Sequence, residues 1–209
     1  MPWYWILIIL SAIFGPFEAM YALNKARRNR EEAEKKRRME SVKKEAGNIT
    51  VRRATEKDIP RIMELLSQVL EVHAKIRPDI FISGTTKYSE AELAEMLKNE
   101  MSPVYAAVTE EDRMMGYAFC QIRKQPFSST MVPFTSFFID DLCVDEAYRG
   151  AGVGRMLVEH VKKEAAERGC YEITLNVWEG NDSARKFYES MGFGIKETQM
   201  EMILGREDA

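Results

Sequence analysis

The stretch from Leu142 to Gly154, LCVDEAYRGAGVG, holds the residue types and spacing that point to chemistry. An apolar strand runs into a loop with glycine at 150, 152 and 154, and the loop opens a helix. Glycine lets the backbone approach a ligand closely and turn successive N–H groups outward. Those donors sit at the positive end of a helix dipole, which suits a phosphate or pyrophosphate. Arg149 and Arg155 add formal positive charge. A Walker loop would need Gly-Lys-Ser/Thr, and Arg155-Met156 does not supply it. A dinucleotide fingerprint would need another glycine spacing, in the first βαβ unit.

The elements that position this loop follow from periodicity. Ile49–Arg53 alternates as a strand. Thr55 caps a helix from about Glu56, whose inner face is Ile59, Ile62, Leu66, Val69 and His73, and Arg77-Pro78 ends it. Ser89 caps a second helix carrying Leu93, Met96 and Leu97. Strands follow at Val104–Thr109, Met114–Ile122 and Phe137–Val144. The helix after the glycine loop carries Val153, Met156, Leu157, Val161 and Ala165 and stops at Gly169. A fifth strand spans Glu172–Val177, a short helix starts at Asn181 or Asp182, and Ile195–Ile203 reads as the last strand. The expected fold is α/β: a mixed central sheet with helices on both faces, in the order β-α-α-β-β-β-α-β-α-β. The helical crossover makes strands four and five parallel.

Composition bounds the partners. The chain has 209 residues, 45% of them hydrophobic, and a net charge of −3. That average hides a split: residues 24–47 carry +5, and residues 48–209 carry −7. Glu31, Glu32 and Glu34 in the neck and the acidic body argue against a nucleic-acid binder, and the acidic body favours cationic acceptors. Cys120, Cys143 and Cys170 are odd in number and widely spaced, which excludes a disulfide framework or a zinc site and fits a reduced compartment. No metal is expected.

The N-terminus reads as a separate unit. Residues 3–23 are just long enough for one membrane span, with Trp3, Tyr4, Trp5 and Tyr21 placed as an aromatic belt. Positive charge follows the span at Lys25, Arg27, Arg28 and Arg30, which puts the body in the cytoplasm, anchored at the inner membrane. An interfacial helix, or translation from Met39, are the other readings of the segment. The expected organisation is an anchor at 1–23, a charged helical neck at 24–47 and a catalytic domain at 48–209.

Arg149-x-x-Gly152-x-Gly154 after an apolar strand resembles the acyl-CoA pyrophosphate loop of the GNAT superfamily of N-acetyltransferases. The stretch NDSARKFYESMGF, Asn181 to Phe193, is similar to that family's second signature, at the right distance and in the right order. The resemblance covers about residues 49–203. It implies acetyl-CoA as co-substrate, an amine as acceptor, direct transfer in a ternary complex, and room for a homodimer. It makes the backbone of Leu142, Cys143 and Val144 the partner of the pantetheine arm. The amides of Arg149, Gly150, Ala151, Gly152, Val153, Gly154 and Arg155 then hold the pyrophosphate, and Asn181 touches the CoA.

Tyr188 matches the family's general acid; a phenol stays protonated at neutral pH and can donate. Without the motif it reads as a core tyrosine. The base is Asp140 or Asp141. Simple alternation puts Asp140 on the face of Leu142 and Asp141 on that of Ile139, and a bulge would exchange them. His73, Arg77, Asp79, Phe81 and Tyr88 are candidate acceptor-pocket residues, and Phe127 and Phe134 candidate lid residues. His160 reads as structural, and Cys143 as acting through its backbone. The rival functions are a non-catalytic acyl-CoA-binding module and transfer from another acyl-CoA.

Overall fold

The computed structural model describes residues 20–204 except 35, 38, 39, 42, 43, 45, 46 and 125–128. The proposed anchor at 3–23 therefore lies outside the described residues except for 20–23. Among the described residues no helix is long and apolar enough to cross a membrane. Residues 20–34 are helical and exposed, Met20, Tyr21 and Leu23 among them.

Five strands form one sheet: β1 (Thr50–Arg53), β2 (Val104–Val108), β3 (Met114–Lys124), β4 (Thr135–Val144) and β5 (Glu172–Leu175). They lie side by side in chain order, antiparallel except for the parallel β4–β5 pair. The helices are α1 (Ile59–Ile76), α2 (Glu90–Leu97), α3 (Val153–Glu167) and α4 (Asp182–Ser190). The mixed α/β sheet with helices on both faces is thus observed.

The two sheet faces carry two cores. Ile62, Leu65 and Leu66 of α1 and Leu93 of α2 pack on Val104, Ala106, Tyr117, Phe119 and Cys143. On the other face Val153, Leu157 and Val161 of α3 pack on Tyr105, Ala107, Met115, Phe137 and Ile139. The inner strand β2, covered on both faces, buries all five of its residues, while the outer strands β1 and β5 are only half-buried.

Helix starts follow local chemistry. Glu56–Asp58 forms a 3-10 turn before α1, and Pro60 sits in the first turn of α1, where its missing N–H costs nothing. Asp58 closes that turn by accepting from the Thr55 N–H at 2.8 Å and from both Arg52 Nη atoms. Ser89 and Glu92 form a reciprocal cap on α2.

The expected strand at Ile195–Ile203 is not formed. Residues 193–204 have no regular structure, and Ile195, Met200 and Met202 stand exposed. Alternation makes a segment fit for a sheet, but pairing needs a neighbouring edge of matching length. β5 is only four residues long. Side chains tether the segment instead: Lys196 reaches Glu172 at 2.6 Å, and Arg77 reaches Glu201 at 2.5 Å.

Candidate functional site

The site forms where β4 and β5 part. Their pairing runs from Ser136↔Glu172 to Ile139↔Leu175, where β5 ends. β4 continues through Asp140, Asp141, Leu142, Cys143 and Val144, paired only with β3 on that stretch. The strand leads through a short 3-10 turn into α3, whose N-cap is Gly152.

Gly150 and Gly152 adopt φ of +83° and +96°, the left-handed region that other residues enter at a cost. The first-turn amides of Val153, Gly154 and Arg155 have no acceptor within the helix, so they face out at the dipole's positive end. A Cβ built on Gly152 would meet no heavy atom within 4 Å, so the space before these amides is open. A Cβ on Gly154 would come within 3.2 Å of the Phe187 ring and 3.6 Å of Val144. Glycine there lets α4 and β4 close on the cradle. These residues fit a pyrophosphate group.

The individual side chains divide between cradle and scaffold. Ala151 and Val153 are buried and anchor the loop in the core. Arg149 donates from Nε to the Val144 carbonyl at 3.1 Å, which braces the turn, and Arg155 is exposed. Asn181 caps α4, accepting the Ala184 N–H at 3.2 Å on Oδ1, and its NH2 group is left to donate. Cys143 is buried, its thiol points to the Leu65 carbonyl at 3.5 Å, and burial pushes it up to about 12. Such a thiol is inert at neutral pH.

A β-bulge separates the surroundings of the two aspartates. Phe119 pairs with Asp141 and Cys120 with Ile139, so Asp140 is an extra residue in β4. Asp141 is thereby turned from the α3 side to the face of Tyr117 and Cys143, which packs on α1. Tyr117 OH donates to Asp141 Oδ2 at 3.0 Å. Burial first of all, opposed by the Lys87 charge and the Tyr117 bond, draws the Asp141 carboxyl up to about 6. Asp140 instead accepts from Lys87 Nζ at 2.9 Å.

Tyr188 packs against Phe187 and Phe193, with ring centroids 5.1 and 5.6 Å away. Burial, and then the nearby Asp141 carboxylate, hold its phenol above its ordinary range.

The connection between α1 and α2 adds an aromatic wall. His73 lies 5.1 Å from Phe81, and Phe81 lies edge-on to Trp178 at 5.3 Å. Arg77 sits over Trp178 and is held by Asp79 and Glu201. Tyr88 stacks on Phe119 at 5.9 Å. His160 packs edge-on against Tyr105 on the α3 side, away from this wall. Phe134 precedes β4 and pairs with Tyr171, so it does not join the site; Phe127 lies outside the described residues. Lys87, Tyr117 and Trp178 escaped sequence reasoning as site residues. Tyr117 had a signal only in a register that no periodicity reveals.

With this geometry the class is defined, and the sequence comparisons agree. The chain belongs to the Acetyltransferase (GNAT) family, whose sequence profile matches residues 67–193. A glucosamine 6-phosphate N-acetyltransferase of Trypanosoma brucei brucei is 36% identical over 66 residues, which are 32% of this chain and 43% of that enzyme. The chain thus spans less than half the length of that relative. The ribosomal protein bS18-alanine N-acetyltransferase of Escherichia coli is 32% identical, over 49% of this chain and 72% of that enzyme. A solved variant of the BH1408 protein of Bacillus halodurans superposes with a TM-score of 0.71 at 32% identity. That match covers 74% of this chain and 99% of the other. Among the described residues, no group of three or more His, Cys, Asp or Glu could hold a metal ion.

Proposed function

We propose that the protein transfers an acetyl group from acetyl-CoA to a primary amine, with Asp141 as base and Tyr188 as acid. The observation that carries this reading is the parting of β4 from β5 after Ile139↔Leu175, which leaves Asp140 to Val144 unpaired on that side, with Asp141 among them. The glycine cradle at the end of β4 supports binding of the pyrophosphate, through the amides from Arg149 to Arg155. The backbone of Leu142, Cys143 and Val144 supports the pantetheine arm, and the Asn181 amide the CoA beyond it. Bound acetyl-CoA supplies the thioester electrophile.

The chain's own residues then handle protons. An amine arrives charged and is inert until it loses a proton. Asp141, drawn up to about 6, is ionised at neutral pH and basic enough to accept one. Tyr117 OH holds the carboxylate in place by donating to Oδ2. Tyr188, held above its ordinary range, keeps its proton until the leaving sulfur needs it.

The test is CoA release measured with a thiol reagent across a panel of amines. Turnover with at least one amine, lost in Tyr188→Phe, supports the reading; tight CoA binding without turnover refutes it. Residues 3–23 are proposed to anchor this catalytic domain, residues 48–209, through the neck. Membrane fractionation with and without residues 1–38 tests that part separately.

A further inference from the structure

The connection from Arg77 to Ser89 brings one amine into the slot. Lys87 Nζ lies 2.9 Å from Asp140 Oδ2, the extra residue of the β4 bulge. Its charge also acts on Asp141 and on His73, and it stands 5.2 Å from the centre of the Tyr88 ring. Its direct partners are thus the Asp140 carboxylate and the Tyr88 ring, with the Asp141 carboxylate and the His73 imidazole within reach of its charge. This is the surrounding an incoming ammonium needs, and a primary ammonium of this chain already fills it.

The contact is also easy to open. The Lys87 side chain is 44% exposed and that of Asp140 22%. Ion pairs so open to water contribute little, because hydration and salt compensate each partner. Residues 77–89 carry no helix or strand that would fix the lysine. A cationic acceptor that displaces Lys87 leaves the charge beside Asp140 and Asp141 unchanged. A neutral acceptor would leave both carboxylates unopposed.

We infer that Lys87 is an internal stand-in for the substrate: its ammonium occupies the acceptor-ammonium subsite at Asp140, and the acceptor is a cationic alkylamine that displaces it. This rests on the acetyltransferase reading for its place in turnover. Lys87 is a specificity residue here, and Asp140 its anchor.

The test reads Lys87 directly. Lysines of the full chain are reductively methylated with carbon-13, which keeps their charge, and the Lys87 signal is assigned by its loss in Lys87→Arg. On titration with 1,5-diaminopentane that signal should shift saturably. It should not shift with 1,5-pentanediol, nor to the same extent with sodium chloride at equal ionic strength. In parallel, Lys87→Met should lower KM for the diamine about two- to fivefold, the range an exposed ion pair allows. A Lys87 signal that responds no more to the diamine than to salt overturns the inference. So does an unchanged KM in Lys87→Met. If the wild type turns over no amine at all, the functional reading fails instead, and the titration still decides whether the subsite exists.

Discussion

Replacing Asp141 by Asn separates its chemical role from its structural one. The amide keeps the shape and can still accept the Tyr117 hydrogen bond, so the slot is preserved. What is lost is the proton acceptor. In the wild type, kcat/KM should fall about tenfold per pH unit below about 6, where Asp141 becomes protonated. Asp141→Asn should lower kcat/KM at pH 7.5 by roughly 10²-fold or more and abolish that acid limb. Stability should move the other way. The folded carboxyl is drawn up from 3.8 to about 6, so the native state holds its proton more tightly than the unfolded chain. Ionising it in the fold therefore costs stability, by at most about 3 kcal/mol. The cost is absent below pH 3.8, grows as pH rises to about 6 and is full above that. Asp141→Asn should thus melt higher than the wild type at pH 8 and equal to it near pH 3.5. Steady-state CoA release from pH 5 to 9 and thermal melts at pH 3.5 and pH 8 check this. An acid limb near 6 that survives in Asp141→Asn refutes the assignment of the base.

Three further outcomes are expected. Tyr188→Phe should lower kcat about 10²-fold or more and leave the acetyl-CoA Kd within about twofold, measured by calorimetry. Gly152→Ala forces a Cβ into φ +96° and into the open space before the amides, so KM for acetyl-CoA should rise about tenfold with kcat little changed. A Cβ on Gly116 would lie 2.6 Å from the Cys143 carbonyl, so Gly116→Ala should cost about 1–3 kcal/mol in a denaturant melt through the β3–β4 pair.

The sequence by itself determined the parts whose information is local. Alternation and helical spacing fixed β1 to β4, α1 and α3 to within a few residues, because burial of one face depends on residues close in the chain. Gly150 and Gly152 marked the turn before α3 because their positive φ is written in their type, and Gly154 marked the close approach of Phe187. The Ser89 cap was legible for the same reason.

What only the tertiary structure decided depends on groups far apart in sequence. The final strand failed although its pattern was right, since alternation says nothing of whether an edge is there to pair with. The different surroundings of Asp140 and Asp141 come from one inserted residue at the β3–β4 bulge, set by cross-strand register against Phe119 and Cys120. That single step sent Asp141 to Tyr117 and Asp140 to Lys87, a lysine 53 residues away. Local sequence names the two carboxylates, but the register of the sheet assigns each its partner.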